Sequence, residues 1–244
     1  MSRLQCVGQS ASSHGLTLVC AIIGLTVYTA TQPVHALSLE DLSNKDAVAG
    51  LKEALIRASQ QATALLGKPD GFLGNPKVKI PLPQSLQRVE GVMRTVGLGD
   101  QADQLITTMN RAAEAAVPEA RTLLVEAVKK MTVEDAKGIL SGGDNAATEY
   151  FRSTTSDALT ARFLPIVKTA TAKVRLAQTY NDFAGKAAGF GLLDQKDANL
   201  DSYVTQKALD GLFLTMAEEE KAIRDNPAGA TKSIIKKVFG AIGQ

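Results

Sequence analysis

The side chains best suited to chemistry in this sequence are carboxylates. Glu114 and Glu119, Asp135 and Asp144, and the run Glu218–Glu220 contain acids close enough in sequence to supply an acid and a base. Paired carboxylates hydrolyse glycosidic bonds when they flank a substrate at a fixed separation. That separation depends on the fold, and charged residues are mostly exposed to solvent. We therefore expect most of these acids to lie on solvated helix faces.

Imidazole and thiol groups occur only in the first 36 residues, as His14, His35, Cys6 and Cys20. Catalytic triads and Cys–His pairs need an imidazole base, and zinc sites are usually built from cysteine and histidine. Haem and iron–sulfur ligation depend on the same side chains. For the chain after Ala36 we therefore expect no disulfide, no metal site and no cofactor.

The same 36 residues have the order of a secretory signal. Arg3 is their only charged side chain, Gly15–Val27 is an uncharged apolar run, and Pro33 precedes small residues at Val34 and Ala36. This arrangement predicts cleavage near Ala36 and a periplasmic or secreted protein. The apolar run is short for a membrane span, although a retained signal anchor is the alternative.

Residues 37–244 are predicted to form a single helical domain. Hydrophobic residues make up 45% of the sequence and aromatic residues only 5%, a mixture that favours helices over sheets. The net charge of +2 supplies no field that would attract nucleic acid. We therefore expect no nucleic-acid partner.

Apolar spacing and capping residues predict eight to ten helices. The first is capped by Ser38 or Ser43 and ends before Gly67, and the last begins at Pro227. Thr132 and Asp135 resemble a capping box, while Thr155 and Ser156 are expected to begin a new helix. The predicted segments include Gln84–Thr95, Asp100–Ala116, Pro118–Met131, a short helix ending at Leu140, a helix capped by Asp144, Asp157–Ala188, Leu200–Arg224 and Pro227–Ile242.

One stretch departs from the helical pattern. Phe72–Pro83 contains three prolines, and polar and apolar residues alternate over Lys77–Ile80. The sequence therefore predicts an all-α fold, either a multi-helix bundle or an orthogonal helical array, with one short extended loop or edge strand near residues 72–83.

Asp197, Asn199 and Asp201 have the spacing of the first ligands of a calcium-binding loop. The glycine and the final glutamate of such a loop are replaced by Ser202 and Ala208. These replacements favour a helix N-terminus with capping residues over a calcium site.

Several polar residues are candidates for a binding surface. Arg111 and Glu114 are three residues apart on one helix, a spacing that allows an ion pair. Each candidate has an ordinary structural interpretation as well. The predicted binding residues are Arg111, Glu114, Asp144, Tyr150, Arg152 and Asn181.

The C-terminal segment combines an apolar stripe with basic residues. Lys232, Lys236 and Lys237 lie off a stripe formed by Ile234, Ile235, Val238, Phe239 and Ile242. A basic amphipathic helix of this kind can lie on an anionic membrane or pack against the protein core. Packing against the core is the commoner case.

Five stretches together resemble one bacterial family of exported proteins, a domain of unknown function designated family four-one-nine-seven. The resemblance implies a Gram-negative, exported, helical protein, and it carries no activity, ligand or catalytic residue. The stretches are Leu39–Leu51, Gly67–Pro83, Met109–Ala120, Met131–Phe151 and Tyr203–Leu212.

These observations favour a binding or interaction module of the cell envelope over an enzyme. The expected contact surfaces are the loop Gly71–Pro83 and the turn Ser141–Asp144, because exposed irregular segments often carry function. The partner would be an envelope protein or a small ligand. The alternatives are a carboxylate-dependent hydrolase of the envelope and a peripheral membrane protein.

Overall fold

The computed structural model describes residues 44–97, 99–175, 177–181 and 199–226, all within one compact unit, Ala36–Gln244. The regular secondary structure of these residues is entirely helical, which confirms the predicted all-α class. A 3-10 turn at Val117–Glu119 joins the third and fourth helices. The helices whose bounds are described are α1 Asn44–Leu66, α2 Gln84–Thr95, α3 Gly99–Ala116, α4 Ala120–Lys130, α5 Val133–Ser141, α6 Ala146–Thr171 and α7 Leu200–Asp225, and residues 177–181 are helical as well.

Some predictions fall outside the described residues. These are the signal segment, the end of the predicted Asp157–Ala188 helix from residue 182 onward, Asp197 of the calcium-loop pattern, and the C-terminal helix with Lys232, Lys236 and Lys237. Among the helices that the structure does describe, none is both long and apolar enough to cross a membrane.

The two longest helices form the centre of the fold. α6 packs against α3, α4, α5 and α7, and α7 also packs against α1 and α3. On α6, Leu159, Phe163 and Val167 recur every four residues and are fully buried. Because residues four apart share one face of a helix, this stripe faces the neighbouring helices. The hydrophobic effect therefore fixes which side of α6 points inward.

Two helix ends match the sequence signals closely. Thr132 Oγ1 accepts a hydrogen bond from Asp135 N at 3.1 Å, and Asp135 Oδ2 accepts one from Thr132 N at 2.9 Å. This reciprocal pair is the predicted capping box at the start of α5. α1 ends at Leu66, immediately before Gly67, as predicted.

The predicted helix start at Thr155 and Ser156 is wrong. Both residues lie inside α6, where their hydroxyl groups donate to Phe151 O at 2.6 Å and Arg152 O at 2.6 Å. Serine and threonine can cap a helix or bond to a carbonyl one turn earlier, and the second use continues the helix. The predicted Asp157–Ala188 helix is interrupted after Thr171, where α6 ends, and helical residues recur at 177–181. Residues 182–188 of that prediction lie outside the described residues.

Residues 67–83, which we call the α1–α2 segment, form turns and an extended stretch with no strand. The loop alternative is therefore right and the edge-strand alternative is wrong. Phe72 is buried, and Val78, Ile80 and Leu82 alternate with exposed residues as the sequence pattern predicts. The segment thus covers part of the hydrophobic core with one side of its chain.

Gly211 on α7 makes close packing of the α1–α2 segment possible. A Cβ atom at this position would lie 2.7 Å from Phe72 Cε1 and 3.2 Å from Val78 Cβ. Phe72 is fully buried and cannot move aside cheaply. We predict that Gly211→Ala lowers the free energy of unfolding by about 1–3 kcal/mol, measured by chemical denaturation.

Gly138, in the interior of α5, is the matched control. A Cβ atom there would meet nothing within 4 Å. Gly138→Ala should therefore raise the free energy of unfolding by about 0.5–1 kcal/mol, because alanine is the better helix former. Equal effects of the two substitutions would contradict the proposed close contact.

Candidate functional site

The α1–α2 segment is held by a buried carboxylate on α3. Glu114 Oε1 accepts hydrogen bonds from Phe72 N at 3.0 Å and from Leu73 N at 3.1 Å. Its other oxygen, Oε2, accepts one from Arg111 Nη1 at 2.6 Å. Backbone N–H groups outside a helix need another acceptor when packed side chains exclude water. One carboxylate can accept hydrogen bonds from two of them at once.

Arg111 extends this arrangement to the surface. Its Nη2 donates to Asp70 Oδ1 at 2.9 Å. The hydrogen bond to Glu114, followed by that to Asp70, raises the pKa of the Arg111 guanidinium. Asp70 has a φ of +65°, a left-handed conformation that aspartate tolerates better than most residues. The predicted Arg111–Glu114 pair is therefore present and anchors a turn.

A second buried side chain of α3 holds the far end of the segment. Asn110 Oδ1 accepts a hydrogen bond from Ile80 N at 2.8 Å, and Asn110 Nδ2 donates to Ile80 O at 2.9 Å. The same Nδ2 also donates to Ile106 O at 2.8 Å. Asn110 therefore gives Ile80 the two hydrogen bonds that a neighbouring strand would give.

The remaining contacts complete the attachment. Tyr203 Oη donates to Pro81 O at 3.1 Å, and Gln87 Nε2 donates to Leu82 O at 2.6 Å. An exposed ion pair joins Lys77 Nζ to Glu218 Oε1 at 2.7 Å. The outward side of the segment stays accessible, and its exposed residues include Lys68, Pro69, Asp70, Gly74, Pro76, Lys77, Lys79 and Pro81.

Glu220 on α7 is a second buried carboxylate that accepts hydrogen bonds from two backbone N–H groups. Its Oε1 accepts from Ala147 N at 2.9 Å, and its Oε2 accepts from Thr148 N and Thr148 Oγ1, each at 2.9 Å. Arg224 Nη2 donates both to Glu220 Oε1 at 2.8 Å and to Ile139 O at 2.9 Å. Glu220 thus caps α6 from a different helix.

Asp144 does not cap α6, contrary to the prediction. The N-cap position is Asn145, whose side chain makes no capping bond, and Glu220 takes over that role. Asp144 Oδ2 instead accepts a hydrogen bond from Lys221 Nζ at 2.8 Å on the surface. This hydrogen bond, with the charge of Lys221, holds the pKa of Asp144 below its ordinary value.

The other predicted binding residues make no hydrogen bond to the α1–α2 segment and contact other partners. Tyr150 Oη donates to Ala127 O at 3.2 Å. Burial, followed by the charge of Asp135, raises the pKa of Tyr150. The Arg152 guanidinium lies 4.7 Å from the centre of the Phe213 ring.

The last of these residues, Asn181, accepts a hydrogen bond from Leu200 N at 2.7 Å through its Oδ1 and so satisfies the start of α7. Of the six predicted residues, only Arg111 and Glu114 bond directly to each other. Tyr150, Asp144 and Asn181 hydrogen-bond to other partners, and Arg152 lies over the Phe213 ring.

The acids that the sequence offered as acid–base pairs have different structural roles or surroundings. Asp135 belongs to the capping box of α5, while Glu119 is exposed in the 3-10 turn. Within the described residues, no three acidic, histidine or cysteine side chains form a group that could hold a metal ion.

Asn199 and Asp201 of the calcium-loop pattern lie within the described residues. Asn199 Oδ1 accepts from Ser202 N at 3.0 Å, which makes Asn199 the N-cap of α7. Asp201 accepts a hydrogen bond from the Thr171 hydroxyl. Asn199 therefore caps α7, as the capping interpretation predicts, whereas Asp201 links the start of α7 to the end of α6.

Sequence reasoning missed Asn110 and misjudged Glu220. Asn110 follows the buried residue Met109 and lies one helical turn after Ile106, so a polar residue within an apolar stripe was the available signal. Glu220 lies four residues after the buried Met216, and so in phase with the inner face of α7. The acidic run Glu218–Glu220 predicts a solvated face, and the burial of Glu220 shows that this prediction is wrong for that residue.

We predict that Glu114→Ala releases the α1–α2 segment. The substitution leaves Phe72 N and Leu73 N without their acceptor and should lower the free energy of unfolding by about 2–5 kcal/mol. Limited proteolysis with trypsin should then cleave after Lys77 or Lys79. Asp70→Asn is the control, because it removes only an exposed ion pair with Arg111. Faster cleavage of the control as well would contradict the proposed role of Glu114.

We predict a strong contrast between two neighbouring acids on α7. Glu220→Ala removes the acceptor of Ala147 N and Thr148 N and should cost about 3–5 kcal/mol in unfolding free energy. Glu218→Ala removes the exposed pair with Lys77 and should cost less than about 1 kcal/mol. Chemical denaturation of both variants measures the difference, and a loss of similar size in each would refute the assignment.

Comparison with known proteins gives a family and no closer relative. No curated protein and no solved structure matches the chain. A family model described as "Protein of unknown function (DUF4197)" matches residues 41–240, which include every described helix. The resemblance seen in the sequence is thereby confirmed, and the chain belongs to the DUF4197 family of proteins of unknown function.

Proposed function

We propose that this protein is an exported binding module of the bacterial cell envelope, which contacts its partner through the outward side of the α1–α2 segment. The partner is an envelope protein or a small ligand. The observation that carries the proposal is that buried Glu114 and Asn110 hold the backbone of this irregular connection, while its other side is exposed to solvent.

The length of the connection is the first part of this argument. Helix–helix connections in bundles usually take about 2–8 residues, and residues 67–83 exceed that range. Long irregular connections in compact domains are usually functional or disordered. Here Glu114 and Asn110 bind the backbone at both ends of the segment, so it is ordered.

Preorganisation is the second part. Binding costs free energy when a loop must first be ordered, and a segment fixed in advance lowers that cost. Burying a carboxylate and an amide to hold a loop is unfavourable unless their hydrogen bonds are satisfied, as they are here. A simple linker would not need such supports, whereas a recognition surface would benefit from them.

The charged residues of the segment are only partly paired. Asp70 pairs with Arg111 and Lys77 pairs with Glu218, while Lys68 and Lys79 lie exposed on the same segment. Salt screens exposed charges, so the contribution of these two lysines to binding should fall as the ionic strength rises.

The hydrolase alternative has less support. Glu114 and Glu220 are the buried glutamates of the described residues, and both accept backbone N–H groups beside an arginine. A general acid must instead hold a proton and deliver it to a substrate. Their bonding therefore favours a structural use of both carboxylates.

Export is testable independently of binding. The full-length gene product should be released by osmotic shock with the periplasmic fraction, and mass spectrometry of the purified protein should give a chain beginning at Leu37. Recovery of an intact N-terminus in the membrane fraction would overturn the proposed export and cleavage.

Binding is testable by site-specific photocrosslinking in the native cell. We predict that p-benzoylphenylalanine at position 77 gives a discrete crosslinked protein, or that native mass spectrometry of the periplasmic protein shows a bound small molecule. The control places the crosslinker at Asp157, an exposed position on α6. Glu114→Ala should reduce either signal at least several-fold, because the segment is no longer held.

Three outcomes would count against the proposal. These are equal crosslinking at positions 77 and 157, unchanged binding in the Glu114→Ala variant, and the absence of both a crosslinked protein and a bound molecule. The Asp70→Asn variant should retain the wild-type signal, since it keeps the Glu114 contacts.

A further inference from the structure

No further inference is drawn: the strongest candidate, the apolar surface patch formed by Val92 and Val96 at the C-terminal end of α2, each 63% exposed, is an unpartnered face, and nothing in the described part of the structure shows what covers it.

Discussion

Buried carboxylates that accept pairs of backbone N–H groups are the interaction on which this fold depends. A helix satisfies its own interior hydrogen bonds, but its first turn and any irregular connection cannot. Where such backbone is covered by packed side chains, water cannot replace the missing acceptors. Glu114 supplies them for the α1–α2 segment, and Glu220 supplies them for the start of α6. An arginine beside each carboxylate, Arg111 or Arg224, offsets the cost of burying the charge.

Both interactions join parts of the chain that are far apart in sequence. Glu114 reaches back to Phe72, and Glu220 reaches back to Ala147, so each contact forms only when the tertiary structure is assembled. The α1–α2 segment is consequently held by the same tertiary packing that brings the helices together. A segment that is held by buried side chains on one side and accessible on the other is consistent with the proposed binding role.

Local signals predicted the parts of the structure that local interactions decide. The capping box at Thr132, the bounds of α2 and the start of α7 at Leu200 follow from neighbouring residues. The break expected at Thr155 was wrong because a hydroxyl group has two local uses with opposite consequences. The Arg111–Glu114 pair could be predicted from its spacing, but its attachment to Phe72 N could not, because that contact depends on how α3 and the segment pack.

Asn110 hydrogen-bonds to both the N–H and the C=O of Ile80, and this bears on association between chains. Exposed extended backbone is a template on which a second chain can add a strand, and such pairing leads to aggregation. In the α1–α2 segment both polar groups of Ile80 are occupied, the prolines at positions 81 and 83 have no N–H, and Pro81 O is bound by Tyr203. The extended stretch therefore offers few free backbone groups near Ile80, and we expect the Asn110 amide to disfavour strand-to-strand pairing there as well as to hold the loop.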